Sequence, residues 1–556
     1  MVRNIISTIT APVRGLHQAA YLLAGLTLAS QALALLRDRL FAHQFGASEM
    51  LDLYYAAFKV PDLVFALVAS LVSAYVLIPR IAGAREEDAR ALLSQTTSFL
   101  LVTGGGLCGL IALFAPDILR FVYPSLMHGA HAEEFVLLTR ILLMQPILLG
   151  LSGIITSVTQ VKRKFTLFAL SPVLYNLGII SGALLLYPYF GLSGVGIGVV
   201  LGALAHVLIH IPVLIEAKLV PHFVLPEAGV IWSVAKDSMP RSMALGMGAF
   251  ITLALTSLAA RTGEGAVSVF TLAGNLAAVP LSLIGATYAT AAFPVLAEHH
   301  RENRTDEYRD TIAAAARHII FWSSIIMVLA IVLRAHIVRI ILGTGAFDWN
   351  DTRLTAAVLG ILVLALAAQG LILLCARAFY AAQKSWNPLF MQLGDAGVSV
   401  LVAWGLMYSA TAYPVVRYFI EDLFRVGDVS GSSVLFVALG ATIGQLLVAA
   451  VALATLRQVA PGVARSLIRP LLEALGAAIL GGAAAYGVLS YMGNLEPLTT
   501  LHAVFTQGVA AGMVGLMVAV GVLASLRNQE FRDLIDALRR LSGKALQPSG
   551  SDLTDG

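Results

Sequence analysis

The stretch RDRLFAHQFGASEMLDLYYAAFKVPD, residues 37–62, sets Arg37, Asp38, Arg39, Asp52, Lys59 and Asp62 at the junction of the first two apolar runs of the chain. A charged side chain at the centre of a membrane helix costs roughly 2.5–3.5 kcal/mol on insertion scales, so charge kept there marks a path for a substrate or an ion. The flanking runs, near 17–36 and 53–79, are each long enough to cross a hydrocarbon core of roughly 30 Å. The stretch therefore reads as a charged hairpin between two membrane spans, and what the protein moves is to be read from it.

Outward from this hairpin the chain is built for lipid. Of 556 residues, 58% are hydrophobic and only 12% charged, and the mean hydropathy is +0.84. A soluble protein carries about 25% charged residues. The formal net charge of +4 is spread over many loops, and no basic block interleaves with aromatics, so nucleic acid is excluded as a partner. Cys108 and Cys375 lie in apolar segments without ligand spacing, which excludes a disulfide framework. Arg3 and Arg14 precede the first apolar run and no small-residue cleavage site follows it, so that run reads as a retained signal-anchor. There is no Walker A loop, nucleophile elbow or zinc-protease signature, hence no enzyme chemistry.

Twelve more apolar windows follow, near 92–115, 134–158, 165–187, 191–215, 241–260, 266–296, 312–333, 354–379, 387–410, 432–456, 468–491 and 501–526, for about fourteen spans in all. Basic residues gather on one alternate set of loops, among them Arg80, Arg85 and Arg90, then Lys162, Arg163 and Lys164, then Arg301, Arg304 and Arg309. The other set holds nearly neutral turns such as YPYFG at 187–191. The positive-inside bias then puts both termini in the cytoplasm, as an even number of spans requires. The fold class is an all-α polytopic membrane protein.

Pro79-Arg80-Ile81-Ala82 with Arg85-Glu86 after the second span is echoed by Pro294-Val295-Leu296-Ala297 with Arg301-Glu302 after the eighth. Six helices separate them, so the halves share a topology. This pattern predicts two parallel six-helix lobes, 17–217 and 218–457, with a substrate site between them. Residues 458–527 then form two added helices, 1–16 a cytoplasmic lead, and 528–556 an amphipathic surface helix and disordered tail, with Phe531, Leu534, Ile535 and Leu538 at helical spacing.

Several side chains carry candidate roles. Arg37 and Arg39 read either as a snorkelling cap with Asp38 or as an anion patch at a cavity mouth, where the guanidinium fork suits phosphate oxygens. In the second reading Asp38 and Asp52 hold the forks or exchange a proton. Lys59, just before Pro61, sits where a freed carbonyl kinks a helix beside a cavity. Asp395, past Pro388 and flanked by Gly394 and Gly397, is either a coupling site for H⁺ or Na⁺ or an interfacial carboxylate. His206 and His210 share a helix face but have no third ligand, so they read as an interfacial pair rather than a metal site.

In order along the chain come Arg37-Asp38, Phe45-Gly46-Ala47, Asp52 and Ala57-Phe58-Lys59-Val60-Pro61. After them stand Arg163, Phe165, Ala169, Pro172 and Asn176, and then Ala291, Phe293-Pro294 and Leu296. Gly345-Ala346-Phe347-Asp348 and Phe379-Tyr380-Ala381 with Pro388 complete the series. Together these resemble the MurJ/MviN family of lipid II flippases, in the superfamily that includes multidrug antiporters. The resemblance implies a V-shaped bundle with a central cavity, a tail groove made by the last two helices, and alternating access for a lipid-linked headgroup. It implies Arg37, Asp38, Asp52 and Lys59 as cavity residues. The chain departs from the family pattern at Ser30-Gln31, Phe65-Ala66, Asn275 and Ala278, where arginines or an acid are expected. Asn275 then joins the cavity set as a neutral group.

The expected function is flipping of lipid II, a peptidoglycan precursor on a polyprenyl pyrophosphate, across the bacterial inner membrane, with membrane lipids as neighbours and no cofactor beyond a coupling ion. Rivals are a flippase for another undecaprenyl-pyrophosphate-linked glycan, a cation-coupled drug exporter, and a non-transporting membrane scaffold.

Overall fold

The computed structural model describes residues 16–72, 74–495, 500–533, 535, 536 and 539. Among these there is no strand. The first two helices are α1 (Leu16–Phe45) and α2 (Glu49–Val68), the latter continuing through Ala69–Val72 and Ala74–Ile81. The next six are α3 (Glu86–Leu113), α4 (Ala132–Val161), α5 (Phe165–Phe190), α6 (Leu192–Glu216), α7 (Ala228–Ala260) and α8 (Ala266–Arg301). The last six are α9 (Thr305–Ile341), α10 (Trp349–Ala381), α11 (Trp386–Ala412), α12 (Val434–Leu456), α13 (Val463–Gly493) and α14 (Leu501–Ser525). Among the described residues, twelve helices, α3 to α14, are long and apolar enough to cross a membrane. They fall in order on the third to fourteenth expected spans. α1 and α2 lie on the first two expected spans but outside those twelve, so the count of fourteen is approximate. In α2 the reason is visible: Asp52, Lys59 and Asp62 dilute its apolar run.

Among the described residues, six helix ends close on a left-handed residue that is not glycine: Arg163, Lys218, Asn303, Gln383, Arg425 and Arg527. Each is followed by a backbone N–H that reaches back to the last helical turn, as in Lys164 N to Thr159 O at 3.0 Å and Lys384 N to Phe379 O at 2.8 Å. These bonds satisfy carbonyls that a helix end otherwise leaves open.

The chain clusters into two compact units. The first comprises the residues up to Asn275 together with Ile341–Val358 and Ser385–Gly444. Close helix packing joins α5 to α6, where a β-carbon at Gly202 would lie 2.6 Å from the Tyr175 carbonyl oxygen and one at Gly198 would lie 2.4 Å from Gly182 Cα. Without a hydrophobic force between helices in lipid, such backbone approach is what gives an interface its van der Waals energy. His210 is fully buried in this unit. Its ring nitrogens meet the hydroxyls of Thr156 at 3.2 Å and Thr159 at 3.1 Å. His206 meets Ser152 at 2.7 Å. The histidine pair thus ties α6 to α4.

The second unit comprises Leu276–Ile340, Leu359–Lys384 and the chain from Gln445 onward. Here α13 and α14 form a hairpin in which a β-carbon at Gly481 would sit 2.5 Å from the Gly515 carbonyl oxygen. Along α9, Phe321 and Ile325 pack with Ala477 and Leu523, and Phe531 covers that cluster. Arg317 pairs with buried Glu530 at 3.0 Å, and Asn528 donates to Glu473 at 2.9 Å. The start of the expected surface helix at 528–541 is therefore held against protein. Leu534, Leu538 and residues 540–556, like 1–15, lie outside the described residues.

Candidate functional site

The hairpin of residues 37–62 lies wholly in the first unit, and its turn is stitched by backbone. Gly46 has φ of 63°, and a β-carbon there would sit 2.7 Å from the Ala346 carbonyl oxygen. Only glycine meets both conditions without strain. Ala346 N donates to the His43 carbonyl at 2.9 Å, Ala47 N to Asp351 Oδ2 at 3.1 Å, and Arg39 Nη1 to the Ile341 carbonyl at 3.1 Å. The 345–348 loop is thus pressed against the turn, with Phe347 buried.

Near the end of α1, Arg37 and Asp38 form the centre of a polar cluster. Arg37 donates to Asp38 Oδ1 from Nε at 3.1 Å and from Nη2 at 2.8 Å. Its Nη1 donates to Asn176 Oδ1 at 3.2 Å. Asn275 Nδ2 fills the other Asp38 oxygen at 2.9 Å. Both carboxylate oxygens are therefore satisfied, and Asp38 is 3% exposed. Three of the five guanidinium N–H donors are used by these bonds, which leaves two. The cluster has no net charge of its own, since one guanidinium faces one carboxylate. It can offer a second anion two directed donors while the bonds to Asp38 and Asn176 stay in place.

Asp52 belongs to a different arrangement. It is fully buried, and its Oδ1 accepts from Ser268 N at 2.7 Å and Ser268 Oγ at 2.6 Å. It thus caps the start of α8 from another helix, instead of holding an arginine fork. Gly265, with φ of 76°, lets this helix start approach the hairpin, because a β-carbon there would lie 2.2 Å from the Ala47 carbonyl oxygen. Asp52 Oδ2 has no hydrogen-bond partner among the described residues.

Lys59 and Asp62 are half-buried one turn apart on α2. Among the described residues neither has a hydrogen bond or ion pair, and the two lie within electrostatic reach of each other. Asp395, half-buried on α11, accepts from Ser399 Oγ at 2.7 Å. Ser399 is fixed by α12, where a β-carbon at Gly444 would collide with its hydroxyl. Arg37, Asp38 and Asn275 are thus brought together, while Asp52, Lys59 and Asp395 stand in separate settings. Asn176, Ser268 and Asp351 were not singled out as site groups by sequence reasoning. For Asn176 a signal existed: an amide in an apolar helix, four residues after Pro172. No group of three or more His, Cys, Asp or Glu side chains among the described residues could hold a metal.

The family model described as lipid II flippase MurJ matches residues 41–506. The lipid II flippase MurJ of Burkholderia cenocepacia is 25% identical over 392 residues, covering 68% of this chain and 76% of that protein. The probable lipid II flippase MurJ of Thermotoga maritima is 25% identical, covering 67% and 76%. Among solved structures, a lipid II flippase MurJ in an inward closed conformation superposes with a TM-score of 0.72 at 19% identity, over 93% of this chain and all of that one. An inward-facing multidrug transporter of the MATE family gives 0.63 at 15% identity, over 78% and 95%. The former shares the fold more completely than the latter. With the family model spanning most of its length, the chain belongs to the lipid II flippase MurJ family.

Proposed function

We propose that this chain flips lipid II across the bacterial inner membrane by alternating access, as a transporter with no covalent step. The observation that carries the reading is the Arg37–Asp38–Asn275 cluster, with family membership behind it. A guanidinium with two free donors suits the paired oxygens of a pyrophosphate, which it can bind bidentately. Lys59, one turn from Asp62 on α2 and without a hydrogen bond among the described residues, supplies a second donor group. Asp38 orients Arg37, and Asn275 occupies its remaining oxygen without adding charge. Asp52 serves the site by fixing the start of α8. The lobes at 17–217 and 218–457 rock about the headgroup, and α13 and α14 take the polyprenyl tail. Both termini face the cytoplasm.

Complementation tests this directly. When the host flippase is depleted, expression of this chain restores lipid II to the outer leaflet and sustains growth. A chain that reaches the membrane in normal amount and restores neither overturns the assignment. Arg37→Lys keeps the charge and loses the fork, so transport falls about tenfold or more, equivalent to roughly 1.4 kcal/mol of one charge-assisted contact.

Asp395 is the proposed coupling carboxylate for H⁺ or Na⁺, with the Ser399 hydroxyl as its positioned neighbour. In proteoliposomes, transport by the native chain depends on the Na⁺ or proton gradient, and Asp395→Asn removes that dependence. Native transport indifferent to both gradients excludes the role.

A further inference from the structure

Between α11 and α12 the chain forms a helix, Pro414–Phe424, that the sequence reading left as a connection. Its two sides differ. On the inward side Val416, Ile420 and Phe424 are half-buried. Glu421 is 2% exposed there, held by Arg417 Nε at 2.7 Å and by the Ser432 hydroxyl. On the other side Val415, Tyr418, Phe419 and Leu423 are each at least 60% exposed. Their spacing of three, one and four residues puts them on one face of a helix. Asp422 shares that face, and its carboxylate lies near Gly427 in the following turn.

This apolar face is not isolated. It continues the exposed stripe of α11, where Leu401, Trp404 and Tyr408 are each more than half exposed at the helical spacing of a lipid-facing edge. Trp404 and Tyr408 stack with ring centroids 6.0 Å apart, and Tyr413, 66% exposed, links the stripe to the short helix. Tryptophan and tyrosine collect where a span leaves the hydrocarbon, because their rings are apolar and their N–H and O–H groups are not. A short helix entered and left by membrane spans, with Glu421 turned inward and large apolar groups turned outward, meets the description of an interfacial element.

We propose that helix Pro414–Phe424 lies in the plane of the membrane at the end of α11, with Val415, Tyr418, Phe419 and Leu423 seated among headgroups and first acyl carbons. The occupant of this face is the lipid surface itself, and the inference stands apart from the identity of the transported substrate. Ser430 is exposed in the turn beyond the helix, and this placement of the helix puts it in water.

The test uses full-length protein in phosphatidylethanolamine–phosphatidylglycerol vesicles. Phe419→Cys and Ser430→Cys, each with Cys108→Ala and Cys375→Ala, carry an environment-sensitive fluorophore. At position 419 a shallow spin-labelled lipid quenches several-fold more than aqueous iodide, and at 430 the order reverses. Quenching at position 419 by iodide as strong as or stronger than by the lipid label overturns the proposal, since the face is then in water. Shielding of position 419 from both quenchers also overturns it, in favour of a protein partner or a second copy. Should the cysteine-free background fail to fold, a photo-crosslinking amino acid at position 419 in the otherwise native chain gives the same decision. Lipid adducts support the interface, and protein adducts or their absence overturn it.

Discussion

Replacing Asp52 by asparagine keeps an oxygen that can accept the Ser268 bonds at 2.7 and 2.6 Å but removes the charge. Alanine removes both. With the side chain acting as a cap for α8, Asp52→Ala costs roughly 1–2 kcal/mol, and Asp52→Asn costs a small fraction of that. Thermal melting of the purified protein measures the difference, and equal losses in the two variants would assign the role to charge instead. Sequence and structure part company at this residue for a physical reason. A carboxylate in an apolar run is conspicuous because burying it is expensive, so Arg37, Asp38, Asp52, Lys59 and Asp395 could all be picked out. What pays that expense is a neighbour distant in sequence and cheap to bury. Ser268, 216 residues from Asp52, looks like any hydroxyl in a membrane helix. The separation of Asp52 from the arginine it was expected to hold was equally invisible, because both lie in one hairpin and only the fold shows which way each side chain leaves it.

At the level of elements, apolar length alone located the helices, and small residues settled how they pack. Gly202→Ala forces a methyl group against the Tyr175 carbonyl and separates α5 from α6, whereas Gly274→Ala meets nothing within 4 Å. The first variant therefore melts at clearly lower temperature, with a loss on the order of the 1–3 kcal/mol typical of overpacking. The second stays within about 0.5 kcal/mol of native or gains slightly from lower chain entropy in the unfolded state. Similar melting of the two would remove the α5–α6 contact as a determinant of stability. Turn conformation was hidden for the opposite reason. Arg163, Asn303 and Gln383 adopt left-handed φ although glycine is the usual residue there. Even so, the turns after α4 and α10, six helices apart, both end on a left-handed residue followed by lysine, at Arg163-Lys164 and Gln383-Lys384. The helix Pro414–Phe424 escaped because a window of about 20 residues averages across an eleven-residue amphipathic pattern.

For the whole molecule, the distribution of basic loops makes a claim that whole cells can check. Cysteine placed at Tyr189, 82% exposed, reacts with a membrane-impermeant thiol reagent added outside. Cysteine at Arg301, whose side chain is 78% exposed, reacts only after the membrane is opened. The reverse pattern overturns the orientation of both termini. The class of fold and the family could be read from the order of weak landmarks, since those record length and spacing, which survive divergence. The tertiary wiring of the hairpin could not. Its Asp52 and Asp38 grip the same helix, at Ser268 and at Asn275. Those positions are two turns apart, roughly 10.5 Å along the axis and nearly on one face. A rod pinned once can swivel, but a rod pinned twice on one side can neither slide nor spin until both pins let go. The leading turns of α8 are keyed to the hairpin like a shaft in its slot, so a single residue inserted between Ser268 and Asn275 would rotate one pin about 100° out of line. Such an insertion disrupts the molecule more than most substitutions at either position.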